Sequence, residues 1–388
     1  MSDYPVNYWT DVQIGTSGLK TLGMTSFMNA PVQCLSATVP FSRFFLGGHW
    51  KRDVNLINPV GSKGKLTGAF AKLLHDMWGG DLPYLTPTDF RKIICQLGPQ
   101  FNGSHQHDSV EFLAFLMDGI HEDLNPILKK PNYIHSLEEE AELQLQPLRI
   151  QRDREWSNWR VRNDSLIVDL FMGQFRTQLE CLTCHKMSTA YSVFSLLKLP
   201  IPHASGKIPI ECCLDEVCNE EILEEDDAWV CSHCNKKRQA VKKTWFAHLP
   251  PILIIPLKRF KTNGRFVDKI DTSVEFPMKN LDLTNYMPPP LALGADRSPL
   301  DDGLPVSLED PRTQVPPYRY DLYGVTNHYG NFSSGHCEPF SLFNLGWRPT
   351  DPTLDTAFVA SSGGWVCCDD SIVTPLTPEE VVVCQSSS

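Results

Sequence analysis

Gly18-Leu19-Lys20-Thr21-Leu22-Gly23-Met24-Thr25-Ser26-Phe27-Met28-Asn29-Ala30-Pro31-Val32-Gln33-Cys34-Leu35 reads as a turn-rich approach running into a helix. Two glycines and small polar residues punctuate its first half. Beyond it, Met28, Val32, Leu35 and Val39 recur at helical spacing, so one face belongs in a core. Pro31 lacks an N–H and clashes with the preceding turn, so it fits only in the first turn and otherwise bends the helix. A helix started near Ser26 is therefore bent at Pro31.

Working outward, Leu66, Phe70, Leu73, Leu74 and Met77 form a second amphipathic pattern, stopped by Gly79-Gly80. Thr86-Pro87-Thr88-Asp89 predicts a third helix with its cap and an N1 proline. Asp108-Ser109-Val110-Glu111 predicts a capping box for a fourth, with Phe112, Phe115, Leu116 and Ile120 as the buried stripe. Residues 126–160 are charged and Glu-rich from Glu138 to Glu142, which suits a solvated linker or a helix. After about residue 166 the pattern changes: Pro251 to Ile255 and Tyr318 to Val325 read as strands. Residues 288–312, rich in Pro, Asp and Gly, read as a surface insertion. A helical N-terminal part and a strand-rich C-terminal part make an α+β chain, without an internal repeat.

With 388 residues, the chain can bury a sizeable core, and its 41% apolar and 21% charged residues are those of an ordinary globular protein. A formal charge of -11 argues against nucleic acid as a partner, since a phosphate backbone selects a basic footprint. An acidic domain suits a basic protein partner better. No stretch approaches 18 uninterrupted apolar residues, so no membrane insertion is expected. Residues 1–15 have neither a basic n-region nor an apolar h-region, which points to the cytoplasm and/or nucleus.

The 13 cysteines are odd in number and sit in a large chain, which favours free thiols and a metal site over a disulfide framework. Cys181-Leu182-Thr183-Cys184 and Cys231-Ser232-His233-Cys234 are two CxxC pairs separated by residues 185–230. Two such pairs complete a tetrahedral Zn2+ site, and four thiolates leave no open position for water, so a structural role is expected. Unligated buried cysteines and redox chemistry are the alternatives. His185 and His233 adjoin the pairs as outer-shell or surface groups. The long gap, which contains Cys212, Cys213 and Cys218, can supply strands of a lobe clipped at its base by the metal.

The chain closely resembles the ubiquitin-specific protease family (ubiquitin carboxyl-terminal hydrolases), from about Gly18 to about Val383. The family's N-terminal box, GLxNLGNTCYMNxxxQxL, is matched by Gly18 to Leu35. Its second box resembles Gln106-His107-Asp108-Ser109-Val110-Glu111-Phe112-Leu113. The cysteine pairs match its fingers, and Leu257-Lys258-Arg259-Phe260 matches its LKRF strand. Asn327-His328-Tyr329-Gly330 with Ser334-Gly335-His336 resembles the histidine box, and Trp365-Val366-Cys367-Cys368-Asp369-Asp370 the strand bearing the orienting aspartate. The resemblance implies a papain-like cysteine peptidase fold. It has a thumb over about 18–160, fingers over about 175–245 within a palm over about 165–385, and an N-terminal extension at 1–17. It also implies ubiquitin or ubiquitinated proteins as partners.

By the same resemblance His336 is the base and Asp369, with Asp370 as the alternative, orients its imidazole. The alternative for each is an ordinary packing or surface residue, and the family match favours the functional placement. Ser26 stands where the family has its nucleophilic cysteine, Thr21 where it has the oxyanion asparagine, and Met24 where the box has its second asparagine. A helix N-terminus stabilises a thiolate, but a serine hydroxyl is too weak an acid to profit in the same way. Loss of one oxyanion donor costs about 2.7–4 kcal/mol of transition-state stabilisation. An engineered Cys-to-Ser exchange would explain Ser26 but not Thr21, Met24 or Pro31, so divergence is the reading. Cys337-Glu338-Pro339 also departs from the family's Tyr-Thr-Ala, and its closing aromatic strand is reduced to Val381-Val382-Val383. Cys34, two turns beyond Ser26, and Cys337, on the opposite strand face from His336, do not replace the nucleophile. The expectation is a ubiquitin-binding pseudoprotease. An active deubiquitinase and a scaffold without ubiquitin binding are the alternatives.

Overall fold

The structure is a computed structural model. It describes residues 17–287 except 81, 104, 129, 132–138, 140–141, 144–145, 147, 205, 225–226 and 264–265. Beyond these it describes 317–326, 329–330, 335–336, 347–349, 365–377 and 380–381. Expectations for residues 1–16, 288–312, Asn327, His328, Ser334, Cys337 to Pro339, Val382 and Val383 fall outside the described residues.

β1 (Gly18–Leu19) leads to α1 (Ser26–Ala37) and α2 (Val39–Leu46). Pro31 lies inside α1, beyond its first turn. The helical spacing that included Val39 is interrupted at Thr38, whose backbone is extended. The cause is Pro40: it cannot donate to Ser36 O, and Ser42 Oγ does so instead at 2.6 Å. Short α3 (Trp50–Asp53) precedes α4 (Lys65–Trp78), which ends at Gly79 as expected. β2 (Tyr84–Leu85) pairs in parallel with β1. In α5 (Thr88–Leu97) the proline is one place earlier than expected. Pro87 is the cap residue, no side chain caps the helix, and Thr88 N–H donates to Thr86 O at 2.8 Å.

Asp108 caps α6 (Ser109–Leu124), accepting from Val110 N at 2.6 Å and Glu111 N at 3.4 Å. Phe112, Leu116 and Ile120 are buried on its inner face together with Leu113 and Met117, while Phe115 is half-buried. The end of the charged run forms α7 (Leu148–Arg160), whose Trp156 stacks on Trp159 and packs at a tilt on His248. With α8 (Leu166–Phe171) these helices close the first core around Phe41, Phe70, Phe112 and Phe171.

The strand-rich part begins with β3 (Gly173–Cys181) and β4 (Met187–Phe194), a hairpin. Short β5 (Leu199–Pro200) and β6 (Ile208–Pro209) follow. Cys212, Cys213 and Cys218 were expected on strands and instead lie on a helix, α9 (Ile210–Cys218). Ile210, Cys213 and Leu214 turn its inner face into the second core. β7 (Glu221–Leu223), the hairpin β8 (Trp229–Cys231)–β9 (Lys236–Arg238) and β10 (Ala240–His248) follow, giving a sheet ordered β4-β3-β10-β7. In it Cys181 pairs with Ala240.

Pro251 to Ile255 is not a regular strand; only Leu253 makes a bridge. Its alternation works differently: Ile252 and Ile254 enter the first core, Leu253 and Ile255 the second. Its backbone is satisfied singly, Ile252 N–H to Leu170 O at 2.9 Å and Leu197 N–H to Ile254 O at 2.8 Å. β11 (Leu257–Lys258) pairs with β5, β12 (Phe260–Asn263) with β13 (Phe266–Lys269), and β14 (Val274–Glu275) with β6. β15 (Leu281–Asp282) joins β16 (Arg319–Leu322), the regular part of the strand expected from Tyr318 to Val325. β17 (Tyr329–Gly330) pairs with β18 (Gly335–His336), and β19 (Trp347–Pro349) with β16. The hairpin β20 (Trp365–Asp369)–β21 (Ile372–Leu376) follows. Val381, expected on a closing strand, is helical and buried; Thr377 N–H donates to Glu380 Oε2 at 2.8 Å and Glu380 N–H to Thr377 Oγ1 at 3.3 Å, a reciprocal capping box.

Candidate active site and metal centre

Ser26 is the first residue of α1 and is 5% exposed. Ahead of it the chain makes a tight loop: Leu22 N–H donates to Thr25 Oγ1 at 2.8 Å, and Thr25 N–H to Gly23 O at 3.1 Å. Gly23 has φ +85, a left-handed conformation that needs glycine. Because Thr25 Oγ1 closes this loop, it does not cap α1, and the first helical bonds run from Met28 and Asn29 N–H to Thr25 O. The N–H groups at Ser26 precede those bonds, at the positive end of the helix dipole. Half-buried Thr21 lies in the same loop, and Met24 is 48% exposed.

The loop is stitched to the aspartate turn. Leu19 N–H donates to Asp370 O at 2.6 Å. A Cβ on Gly18 would come within 2.7 Å of the Ser371 backbone, so only glycine allows this approach. Asn29, 1% exposed and one turn below Ser26, donates from Nδ2 to Leu19 O at 2.9 Å and to Asp370 Oδ1 at 2.8 Å. Asp370 turns the chain with φ +48, and Asp369 ends β20 immediately before it. The helix bearing Ser26 and the turn bearing Asp369 are thus one assembly. His336 is placed by its backbone, opposite Tyr329 in β17–β18; the position of its imidazole lies outside what is described.

Sequence reasoning missed Asn29. Its signal was a polar stripe, Ser26, Asn29, Gln33 and Ser36, recurring at helical spacing beside the apolar one. It also missed the aromatic box around Phe27, which packs edge-on to His107 at 5.0 Å and to Phe112 at 5.7 Å. Burial lowers the His107 pKa. Other thiols are poorly placed to substitute for a nucleophile. Burial pushes Cys368 up to about 12, and Cys34 is half-buried with Sγ 3.5 Å from Thr326 Oγ1.

Where β3 and β10 end, Cys181, Cys184, Cys231 and Cys234 bring their sulfurs within 4.8 Å of one another. The β3–β4 turn supplies one pair and the β8–β9 turn the other. The two turns are built alike. His185 and Asn235, each just after a pair, are left-handed with φ 55 and 51. Each donates its N–H to the first cysteine carbonyl, Cys181 O or Cys231 O, at 2.8 Å. Sulfurs on a tetrahedral zinc stand about 3.8 Å apart for Zn–S near 2.3 Å, and Cys184 and Cys231 are 3.6 Å apart. The donor set fits a zinc ion. His185 instead pairs with Glu180 at 2.9 Å, and His233 is exposed, as expected of non-ligands.

The family model described as "Ubiquitin carboxyl-terminal hydrolase" matches residues 17–387. Ubiquitin carboxyl-terminal hydrolase 4 of Vanderwaltozyma polyspora is 36% identical over 353 residues, covering 87% of this chain and 38% of that protein. Ubiquitin carboxyl-terminal hydrolase 21 of Rattus norvegicus is 33% identical over 377 residues, covering 91% of this chain and 61% of that protein. The chain therefore spans less than two thirds of the length of either relative. Among solved structures, the SAGA deubiquitinating module Ubp8/Sgf11/Sus1/Sgf73 bound to monoubiquitin shares the fold. Its TM-score is 0.65 at 22% identity, over 96% of this chain and 68% of that one. No described helix is long and apolar enough to cross a membrane. Two cores, a two-turn cysteine cluster and a helix start stitched to an aspartate hairpin agree with the match over almost the whole length: the chain belongs to the ubiquitin carboxyl-terminal hydrolase family.

Proposed function

We propose that this chain is a ubiquitin-binding pseudoprotease, acting in the cytoplasm or nucleus. The observation that carries the reading is Ser26 at the start of α1, in the place where the family resemblance puts the cysteine. A helix N-terminus and an adjacent imidazolium lower the pKa of a thiol enough to make an anion at neutral pH. A hydroxyl there stays neutral and depends wholly on a base and on oxyanion donors. Thr21 replaces one of those donors. The parts that hold shape are present: the Asn29–Asp370 link and the four cysteines, read as a structural zinc clip at Cys181, Cys184, Cys231 and Cys234. His336 and Asp369 are assigned as base and orienting carboxylate. The carboxylate of Asp370 is engaged by Asn29, which supports Asp369 for that role.

A second reading, an active deubiquitinase working through Ser26, is favoured by the same stitched aspartate turn. The deciding experiment measures release of a fluorophore from the ubiquitin C-terminus by the zinc-loaded protein, Ser26→Cys and Ser26→Ala, with ubiquitin binding measured in parallel. Binding without turnover, and turnover restored in Ser26→Cys, is the expected outcome. Turnover by the natural protein that vanishes in Ser26→Ala would establish the second reading. No ubiquitin binding by any variant would leave a scaffold that has lost the ligand.

A further inference from the structure

Between Asp53 and Asp76 the sequence contains no acidic residue, in a chain whose net charge is -11. The same stretch presents three large apolar side chains to solvent: Leu56 is 60% exposed, Ile57 72% and Val60 70%. Exposed apolar residues scattered singly need no explanation, but three within one turn form a patch. We propose that residues 54–64 form a docking surface for a short acidic peptide segment that also carries apolar side chains.

The patch is held in shape from beneath. Buried Asp123, at the end of α6, accepts from Ser62 N at 2.6 Å, Ser62 Oγ at 2.7 Å and Thr67 Oγ1 at 3.0 Å. Asn58, 2% exposed, donates to Glu122 O at 2.7 Å, and Asn55 Nδ2 donates to Asn125 O at 2.7 Å. A peptide binding here meets a surface whose ordering entropy is already spent.

Charge selects the occupant. Lys63 and Lys65 are exposed on either side of Gly64, which faces Val54 and Leu56, and Lys51 is exposed on α3; none has an acidic partner among the described residues. The nearby acids are engaged elsewhere. Asp53 pairs with Arg52 at 3.0 Å, Glu122 is held by Lys130 at 2.6 Å and by Asn58 at 2.9 Å, and Asp123 is buried. The patch is therefore locally cationic. An anionic membrane fits less well, because a flat surface would meet the field of the whole acidic chain, whereas a peptide meets only groups within a Debye length of about 8 Å. The surface is also remote from Ser26. Phe27 packs on Phe112 in the first turn of α6, and the patch sits on Glu122 and Asp123, ten residues or about 15 Å further along its axis.

The test uses the full, zinc-loaded chain and fluorescence anisotropy of a labelled peptide of alternating Glu and Leu. Companion peptides carry Lys for Glu or Ser for Leu. The expected result is saturable binding of the Glu/Leu peptide alone, weakened roughly tenfold or more in Lys63→Glu/Lys65→Glu and in Ile57→Ser/Val60→Ser. These exposed substitutions leave zinc content and ubiquitin binding unchanged, which separates the result from misfolding and from failure of the ubiquitin reading. Failure to bind the Glu/Leu peptide, or equal binding by the variants, overturns the proposal. So does preference for phosphatidylserine vesicles, or self-association of the chain that Ile57→Ser/Val60→Ser abolishes.

Discussion

Asn29 Nδ2 bridges Leu19 O and the carboxylate of half-buried Asp370 from a position 1% exposed, so its removal takes a partner from the buried Leu19 carbonyl and breaks the link to Asp370. An unsatisfied buried group costs about 1–3 kcal/mol, more when charged. Asn29→Ala is expected to lower the stability by about that amount in urea unfolding. An unaltered midpoint would mean that water takes the place of the amide without loss. His248 makes the complementary prediction. Burial, with Arg152 and Arg160 nearby, lowers its pKa from 6.5 to about 4. A depressed folded value means that below pH about 6.5 the unfolded chain takes a proton the native histidine refuses. Stability is then lost progressively as pH falls from about 6.5 to about 4, by up to about 3 kcal/mol for this group. Burial lowers His107 and His121 in the same direction, so they share the slope. His248→Phe, keeping a ring against Trp156, should flatten it by one proton's share when unfolding is followed from pH 7 to 4. An identical slope in the variant would place the titration elsewhere.

At the scale of elements, the cysteine turns close the ends of the two longest described strands. β3 and β10 are nine-residue strands whose far ends meet at Cys181 and Ala240. Beyond that point only short hairpins remain, and little apolar burial holds them. A zinc ion contributes folding free energy there directly, because its ligands converge only in the folded arrangement. Cys231→Ser is expected to reduce bound zinc well below one per chain. Amide exchange should accelerate across 173–194 and 229–248, while helices α1 to α6 keep their protection. Uniform protection with the metal gone would make the clip dispensable. These turns were legible in the sequence because ligand spacing is a local signal. So were α4, whose apolar repeat runs up to the Gly79-Gly80 stop, and α6, whose repeat follows the Asp108 cap. The errors have local causes too. The helical repeat through Val39 ignored Pro40, and Pro251 to Ile255 alternates like a strand because it faces two cores, not because it has ladder partners. For α9, Ile210, Cys213, Leu214 and Val217 already carried the helical period, hidden by attention to the cysteines as lobe strands. The Asn29–Asp370 link spans most of the chain, and no local pattern encodes it.

For the whole molecule, two hydrophobic cores share one covering segment, with Ile252 and Ile254 on one side and Leu253 and Ile255 on the other. Any ligand that binds only the assembled native state stabilises it by RT ln(1 + [L]/Kd), whether or not it is turned over. That independence separates binding from catalysis in a chain with serine at the helix start. Ubiquitin at 100 times its Kd is expected to add about 2.7 kcal/mol to unfolding, seen as an upward shift in melting temperature that grows with concentration. Ser26→Ala should show the same shift, since the hydroxyl contributes almost no contact area. A variant that disrupts the cysteine turns should lose the shift if the ligand is gripped by the lobe they hold, and keep it if the ligand rests on the helical part alone. A natural protein that shows no shift with excess ubiquitin would retain the family fold and lack the family ligand. The stitching of Gly18, Leu19 and Asn29 to the Asp370-Ser371 turn would then serve stability, since joining the first strand to the last hairpin ties the two ends of the described chain together.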